Sequence, residues 1–172
     1  MTRVFLALGS NIEPRLDYLQ SAVARLGNTG IVHKIAPLYG SKPSGYEEQA
    51  DFYNSACIFE TDVTPTNLLR SVKEIEKASG RTERFRWGPR EIDIDIIFYG
   101  DLILREKELC IPHKEYLKRR FVMQPLVDLA EGFVPPGEST TLKQLLQNCP
   151  DKSELELIMS EWIDPWKLNS TI

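Results

Sequence analysis

The chain has 172 residues, of which 42% are hydrophobic and 27% charged, and this length and composition fit one domain around a single core. Its net charge of −4 argues against general nucleic-acid binding, and no apolar stretch approaches the roughly 20 residues that span a bilayer. The three cysteines are far apart and outside CxxC spacing, and the two histidines stand alone, which argues against disulfide, zinc and catalytic-triad frameworks. We therefore expect a single cytoplasmic domain over residues 1–172, with reduced thiols and without nucleic-acid or membrane partners.

Strand and helix signals alternate along the first hundred residues. The predicted elements are a strand over 2–8, a helix over 14–26, strands over 31–39 and 51–60, a helix over 64–78 and a strand over 91–99. Pro14 and Thr64-Pro65 are typical of helix starts, and Ser79-Gly80 is typical of a helix end. The βαββαβ order predicts an α+β fold of the ferredoxin-like type, an antiparallel sheet with two helices on one face.

The signals are weaker beyond residue 100. Residues 102–104 and 109–111 predict a hairpin, and short helices are expected around Tyr116, around Leu126 and over 142–146. Earlier in the chain, residues 40–49 form a predicted loop that is long enough to be functional.

The strand over 91–99 carries two carboxylates. Side chains alternate along a strand, so Asp93 and Asp95 are expected on one face, roughly 7 Å apart. The side chains expected on the opposite, helix-covered face are those of Ile92, Ile94, Ile96 and Phe98. Two neighbouring carboxylates repel each other unless a cation lies between them, and oxygen ligands favour Mg²⁺ completed by substrate phosphates. The alternative is that both aspartates simply face water on an open sheet face.

An arginine-rich loop precedes this strand. It carries Arg81, Arg84, Arg86 and Arg90 together with Trp87. Guanidinium groups match the geometry of phosphate oxygens, so this loop and the two aspartates together predict a metal and polyphosphate site, although the loop by itself could be only solvated charge. We expect the loop to be mobile without ligands, because its arginines have few nearby acceptors apart from Glu83 and Glu91.

The segment RWGPREIDIDII, residues 86–97, resembles the signature of 6-hydroxymethyl-7,8-dihydropterin pyrophosphokinases. Further blocks occur in the order and at the approximate spacing of that family: LGSN at 8–11, DFYN at 51–54, Gly80-Arg81, IPH at 111–113 and RFVMQPL at 120–126. The resemblance covers about residues 2–137 and leaves an appendix over about 138–172. It implies that the diphosphate of ATP is transferred to the hydroxymethyl group of the pterin, with AMP leaving, in folate biosynthesis.

The resemblance also implies roles for individual residues. Asp93 and Asp95 would hold two Mg²⁺ ions, and Arg81, Arg90 and Asp95 would act in catalysis. The residues implied for nucleotide binding are Glu76, Arg84, Arg86, Trp87, Ile96, His113 and Arg119. The residues implied for pterin binding are Ser41, Pro43, Gly45, Phe52, Asn54 and Phe121. The separate roles of Arg84 and Arg86 stay open, as does whether Arg105 or Lys107 compensates for Glu108, which stands where some members carry an arginine.

Several alternatives remain at this level. Glu76 could pair with Lys73 or Lys77 on the surface, and Phe52 could be a core residue. A nucleotidyltransferase with an Asp-x-Asp metal site would release pyrophosphate instead of AMP, and a non-catalytic pterin or nucleotide sensor would bind without turnover. The expected oligomeric state is a monomer or a weak homodimer. His33 lies on an ordinary strand, outside the blocks that resemble the family, and we take it as structural.

Overall fold

The structure, a computed structural model, describes residues 1–82, 84–164 and 168. The strands of the main sheet are β1 (Thr2–Ser10), β2 (Ile31–Ile35), β3 (Leu38–Ser41), β4 (Phe52–Thr61), β5 (Asp93–Tyr99) and β8 (Glu156–Met159). The sheet order is β5-β1-β4-β3-β8, with β2 also paired to β4, and every one of these pairings is antiparallel. The predicted α+β, ferredoxin-like arrangement is confirmed.

Two long helices cover one face of this sheet. They are α1 (Arg15–Leu26) and α2 (Pro65–Ala78), and their apolar stripes pack against alternate residues of β1, β4 and β5. The predicted boundaries of α2 hold, since the Thr64 side chain caps its start and Gly80 follows its end with a φ of 85°. Positive φ favours glycine, which has no Cβ to clash with the backbone.

The remaining elements lie mostly on the other face or at the edges of the sheet. They are the hairpin β6 (Leu104–Arg105) and β7 (Cys110–Ile111), a 3₁₀ turn (Tyr116–Lys118), α3 (Arg120–Ala130) and α4 (Leu142–Gln147). Helix α3 packs on part of the second face in an apolar cluster that includes Phe5, Phe98 and Leu126. The aspartate-bearing face is therefore only partly open. Among the described residues, no helix combines the length and the apolar character that crossing a bilayer requires.

The single strand predicted over 31–39 is wrong, because Ala36 and Pro37 interrupt it and divide it into β2 and β3. Pro37 has no N–H to donate to a ladder, and the Ala36 carbonyl accepts bonds from the Ser55 hydroxyl and the Trp162 indole instead. The predicted loop also starts later than expected, since β3 extends to Ser41.

The predicted face of Phe98 is also wrong. Leu6 pairs with Ile96 whereas Phe5 pairs with Phe98, so Ile97 is an extra residue in the ladder. This bulge turns Phe98 to the α3 face, where its ring packs edge-on against Phe5 and Tyr116. Asp93 and Asp95 precede the bulge and keep the alternation that the sequence predicted.

Candidate active site

A cavity of about 440 Å³ opens on the α3 face of the sheet. It collects side chains from β1, β3, β4 and β5, from the arginine loop and from the segment before α3. The predicted site residues that line it are Ser41, Phe52, Asn54, Arg86, Trp87, Arg90, Asp93, Asp95, His113, Arg119 and Phe121. Segments distant in sequence thus meet in the part of the face that α3 leaves uncovered.

The two aspartates have different partners in this cavity. Asp93 accepts hydrogen bonds from Arg81 at 3.0 Å and from Arg90 at 2.7 Å, so both of its oxygens are paired. Among the residues that the structure describes, no hydrogen bond or ion pair to the Asp95 carboxylate is found. Burial and then the charge of Asp93 raise the pKa of Asp95 to about 7. The Asp95 anion is therefore the less favourable of the two charges.

This pair fits a divalent cation that brings other ligands with it. A cation next to Asp95 would offset both its desolvation and the repulsion from Asp93. No group of three or more His, Cys, Asp or Glu side chains suited to a metal is found in the described part of the chain. Mg²⁺ commonly binds through one or two carboxylates, with phosphates and water completing its shell. The donor set of Asp93 and Asp95 is consistent with that mode.

Glu76 supports β5 from the opposite side. Its buried carboxylate accepts the backbone N–H of Ile94 at 2.8 Å, on the edge of β5 that pairs with no neighbouring strand. It also pairs with Arg81 at 2.6 Å and with Lys73 at 2.9 Å. The structure thus places Glu76 in contact with both an arginine and a helix lysine, and through Arg81 it is linked to Asp93.

The arginine loop is paired more fully than the sequence suggested. Arg84 forms two bonds to Glu91, at 2.8 and 2.7 Å, and these bonds lower the pKa of Glu91. Arg81 and Arg90 bind Asp93, so the expectation of few local acceptors is wrong for these two, whereas Arg84 pairs with Glu91, an acceptor that the sequence analysis named. Arg86 lies over the Trp87 ring at 4.8 Å. Glu83, the other acceptor named above, lies outside the described residues.

A second cavity, of about 630 Å³, adjoins the first between α2 and the loop. Glu76, Arg81 and Arg84 line it, and Arg86 and Arg90 line both cavities. The residues predicted for the nucleotide are therefore divided between two adjoining spaces. Ile96 is the exception, because its side chain is buried in the core beneath the helices.

Asn54 is a buried amide at the floor of the first cavity. It is 5% exposed, and its Nδ2 donates to the Ser41 hydroxyl at 2.6 Å. Its Oδ1 lies 3.2 Å from where a Cβ at Gly9 would stand, so glycine at that position leaves room for the amide. Asn54 retains hydrogen-bonding capacity for a ligand, since an amide offers two donors and two lone pairs.

Two predicted pterin residues lie beside the cavity instead of lining it. Gly45 has a φ of 90°, and a Cβ there would be 3.0 Å from the Trp87 ring, so the residue allows the tryptophan to pack on the 42–50 loop. Pro43 stands between Lys42 and Ser44, which do line the cavity.

His113 and Arg119, from the segment before α3, also line the cavity. Burial and then the Arg119 charge lower the pKa of His113, which favours the neutral form of its ring. The Glu115 backbone N–H donates to Nδ1 at 3.3 Å, which leaves the ring proton on Nε2. His33, by contrast, pairs with Glu60 on the surface, as a structural residue would.

Comparison with known proteins identifies the fold and the family. Residues 5–131 match the family model of 7,8-dihydro-6-hydroxymethylpterin-pyrophosphokinase. The chain belongs to this family. A 2-amino-4-hydroxy-6-hydroxymethyldihydropteridine pyrophosphokinase of Aquifex aeolicus is 40% identical over 84% of this chain and 90% of its own length. The Haemophilus influenzae protein of the same name is 34% identical over 91% of this chain and 99% of its own.

Other relatives are longer than this pyrophosphokinase. The Dictyostelium discoideum folic acid synthesis protein FOL1 is 39% identical over 90% of this chain, which spans only 24% of that protein. Among solved structures, the Plasmodium falciparum HPPK-DHPS with pterin and p-hydroxybenzoate superposes with a TM-score of 0.69 at 16% identity, over 86% of this chain and 41% of that one. At that identity the likeness shows the fold alone.

Membership confirms the resemblance seen in the sequence and, with it, an ATP-dependent pyrophosphokinase activity in folate biosynthesis. It favours diphosphate transfer over the nucleotidyltransferase and sensor alternatives. Sequence reasoning gave no role to Lys42, Lys114 and Glu115, which also line the cavity. Only their nearness in sequence to assigned residues could have indicated a role. Nearness in sequence does not reveal which way a loop side chain points.

The structure also reveals a polar junction at Asn11 that the sequence did not predict. Its Oδ1 accepts the Arg90 backbone N–H at 2.8 Å, and its Nδ2 donates to Gln49 at 2.8 Å. Gln49 in turn donates to the Trp87 carbonyl at 2.8 Å. These bonds connect the end of β1, the 42–50 loop and the arginine loop at the rim of the cavity.

Proposed function

We propose that the cavity on the α3 face binds the pterin beside the phosphates of ATP. Asp93 and Asp95 would together hold two Mg²⁺ ions. The observation that carries this proposal is the juxtaposition of the two carboxylates with Arg86, Arg90 and a buried amide in one cavity. The ions, when bound, offset the negative charge of the transferred diphosphate and of the leaving AMP. The chain's own residues position the two substrates around them.

The arginines already lie within reach of the phosphate position. Arg81 and Arg90 both bind Asp93, and we propose that they transfer part of this pairing to the phosphates when ATP binds. Arginine forms charge-assisted bonds to phosphate as it does to carboxylate, so each pairing lost from Asp93 is replaced by one of similar kind. Arg119 and the Nε2–H of His113, which line the same cavity, would also donate to phosphate oxygens. Arg84 would stay on Glu91 and anchor the loop.

The pterin would lie over Asn54. Its pyrimidinone and amino groups offer an edge with both donors and acceptors, which matches the amide and the backbone near Ser41. Phe121, with Phe52, would provide a flat surface for the bicyclic ring. This arrangement leaves the hydroxymethyl group free to extend toward Asp95.

The proposed positions of the two substrates determine which bonds form and break. The hydroxymethyl oxygen forms a bond to the β-phosphorus, the bond between that phosphorus and the α,β-bridging oxygen breaks, and AMP leaves with the oxygen. The hydroxyl proton would pass to a carboxylate oxygen of Asp95, toward which the hydroxymethyl group extends. Most of the rate enhancement would come from orientation and charge neutralisation, as in phosphoryl transfer generally.

We further propose that the enzyme is cytoplasmic and acts as a monomer or weak homodimer. Cys57, Cys110 and Cys149 are all free thiols, as is usual in a reducing compartment. Sedimentation velocity over a range of concentrations would test the oligomeric state.

Product analysis tests the proposed function. The chain is incubated with ATP, Mg²⁺ and 6-hydroxymethyl-7,8-dihydropterin, and ³¹P NMR follows the phosphates. We expect AMP and the pterin diphosphate in equal amounts. Release of pyrophosphate would indicate nucleotidyl transfer, and binding without any product would indicate a sensor. Asp101→Asn, an exposed carboxylate after β5, serves as the control that should turn over normally.

A further inference from the structure

Helix α3 starts without a cap of its own. Its N-cap residue is Arg119, whose side chain makes no capping hydrogen bond. Cap positions usually carry Ser, Thr, Asp or Asn, because their short side chains accept a bond from the first-turn N–H groups. A guanidinium has no acceptor atom, and that of Arg119 lines the cavity instead. The helix that presents Arg119 and Phe121 to the substrates therefore lacks a local cap.

Asp151 caps α3 from the C-terminal part of the chain. Its Oδ2 accepts the backbone N–H of Arg120 at 2.9 Å. Its Oδ1 accepts the backbone N–H of Ser153 at 2.9 Å and the Ser153 hydroxyl at 2.5 Å. Burial opposes ionisation of Asp151, but the bonds from Ser153 and Arg120 outweigh it and lower the pKa of this carboxyl. A negative charge at this position also complements the positive end of the helix dipole.

The path of the chain brings Asp151 to this point. The backbone N–H groups of Leu142 and Lys143 donate to the carbonyls of Phe133 and Glu131, so α4 starts beside the end of α3. Leu142 is buried in the apolar cluster of α3, and the chain then returns to reach the first turn of α3 at Asp151. The match to the family model ends at residue 131, so Asp151 lies beyond the matched segment.

We propose that Asp151 is a positioning residue for both substrates: by capping α3 from the tail, it holds Arg119 and Phe121 in the cavity. This inference rests on the proposed function of the cavity. The cap position and the first turn of a helix move together, so loss of the Asp151 bond displaces both side chains. Asp93 and Asp95 lie on β5 and are not displaced. Binding of both substrates should weaken, whereas the chemical step at saturation should change little.

A matched pair of cap deletions tests the proposal. Asp151→Ala removes the cap of α3, and Thr141→Ala removes the cap of α4, which lines neither cavity. Both variants should lower the melting temperature. Only Asp151→Ala should raise the KM for pterin and for ATP, by about tenfold each, at a temperature where both variants are folded. Its kcat should stay within about threefold of wild type, since the residues on β5 do not move.

Asp151→Asn provides a graded variant, because its amide still accepts the Arg120 N–H but carries no charge. Its KM values should lie between those of wild type and Asp151→Ala, and it decides the question if Asp151→Ala does not fold. Equal KM values in the Asp151 and Thr141 variants would overturn the proposal and leave Asp151 a purely structural cap. A wild-type chain that forms no pterin diphosphate would instead contradict the proposed function itself.

Discussion

The two faces of the sheet are made by the same strands and have opposite characters. Toward α1 and α2, β1 presents Val4, Leu6 and Leu8, which belong to an uninterrupted apolar core. Toward α3, the same strand presents Phe5, Ala7 and Gly9, which pass from an aromatic cluster to the floor of the cavity. The alternation of a strand thus separates the apolar core beneath α1 and α2 from the face that carries the cavity.

The second face also changes along its own length. At one end, Phe5, Phe98 and Phe133 stack beneath α3, with ring centroids 4.9–5.5 Å apart. At the other end lie the side chains of Asn54, Asp93 and Asp95. Burying a carboxylate without a partner, as at Asp95, is costly, so this end of the face is explained better by bound cations than by packing. We therefore predict that substitutions on the cavity face lower activity, whereas substitutions on the face covered by α1 and α2 lower stability.

The largest effect is expected for Asp95→Ala on the cavity face. Transfer should fall by roughly a thousandfold or more, the scale seen when a main electrostatic stabiliser of a transition state is removed. The melting temperature should be unchanged or higher, because the repulsion between Asp95 and Asp93 is removed. Steady-state kinetics and calorimetry measure the two quantities. Normal turnover in this variant would contradict the proposal that Asp95 binds a metal ion.

Leu68→Ala on the helix face should have the reverse pattern. Leu68 belongs to α2 and is fully buried against the sheet. Truncating such a residue costs about 2–5 kcal/mol of unfolding free energy. Kinetics at low temperature, where the variant is folded, should give a kcat within about twofold of wild type, since no cavity residue moves. Activity lost in step with stability while the chain is still folded would show that the two faces are not separable.

Asn54→Ala should sharpen the comparison within the cavity face. Loss of the buried amide should weaken pterin binding by roughly ten- to a hundredfold, the equivalent of about 1–3 kcal/mol. Nucleotide binding should persist, because the arginines lie on the other side of the aspartates. Titration calorimetry with each ligand separates the two effects. Equal losses for both ligands would argue against the pterin position that we propose.

A smaller effect is expected in the arginine loop. Its ion pairs to Glu91 and Asp93 hold it in part, and binding of an ATP analogue and pterin should add phosphate bonds from Arg81, Arg86 and Arg90. Amide hydrogen exchange over residues 81–87 should slow by roughly tenfold, or about 1.4 kcal/mol, on binding both ligands. Unchanged exchange would show that the arginines are preformed and that loop closure is not part of the mechanism.

The sequence predicted what depends on local patterns. The two aspartates, the caps of α2, the alternation of β4 and that of β5 before its bulge follow from residue spacing over a few positions, and the family signature covers the aspartates. Three features depend on contacts distant in sequence and were missed. The bulge at Ile97 follows from pairing with β1, and β8 is a four-residue strand whose pattern is too short to recognise. The Asp151 cap joins residues that are 31 positions apart.

The most direct test of this account is to count the metal ions on the cavity face. Mn²⁺ is titrated in place of Mg²⁺ in the presence of a non-hydrolysable ATP analogue and pterin, and electron paramagnetic resonance measures the bound ions per chain. The account predicts two bound ions for the wild type and fewer for Asp95→Ala, with Asp101→Asn behaving as the wild type. Equal numbers of bound ions in the wild type and in Asp95→Ala would contradict it.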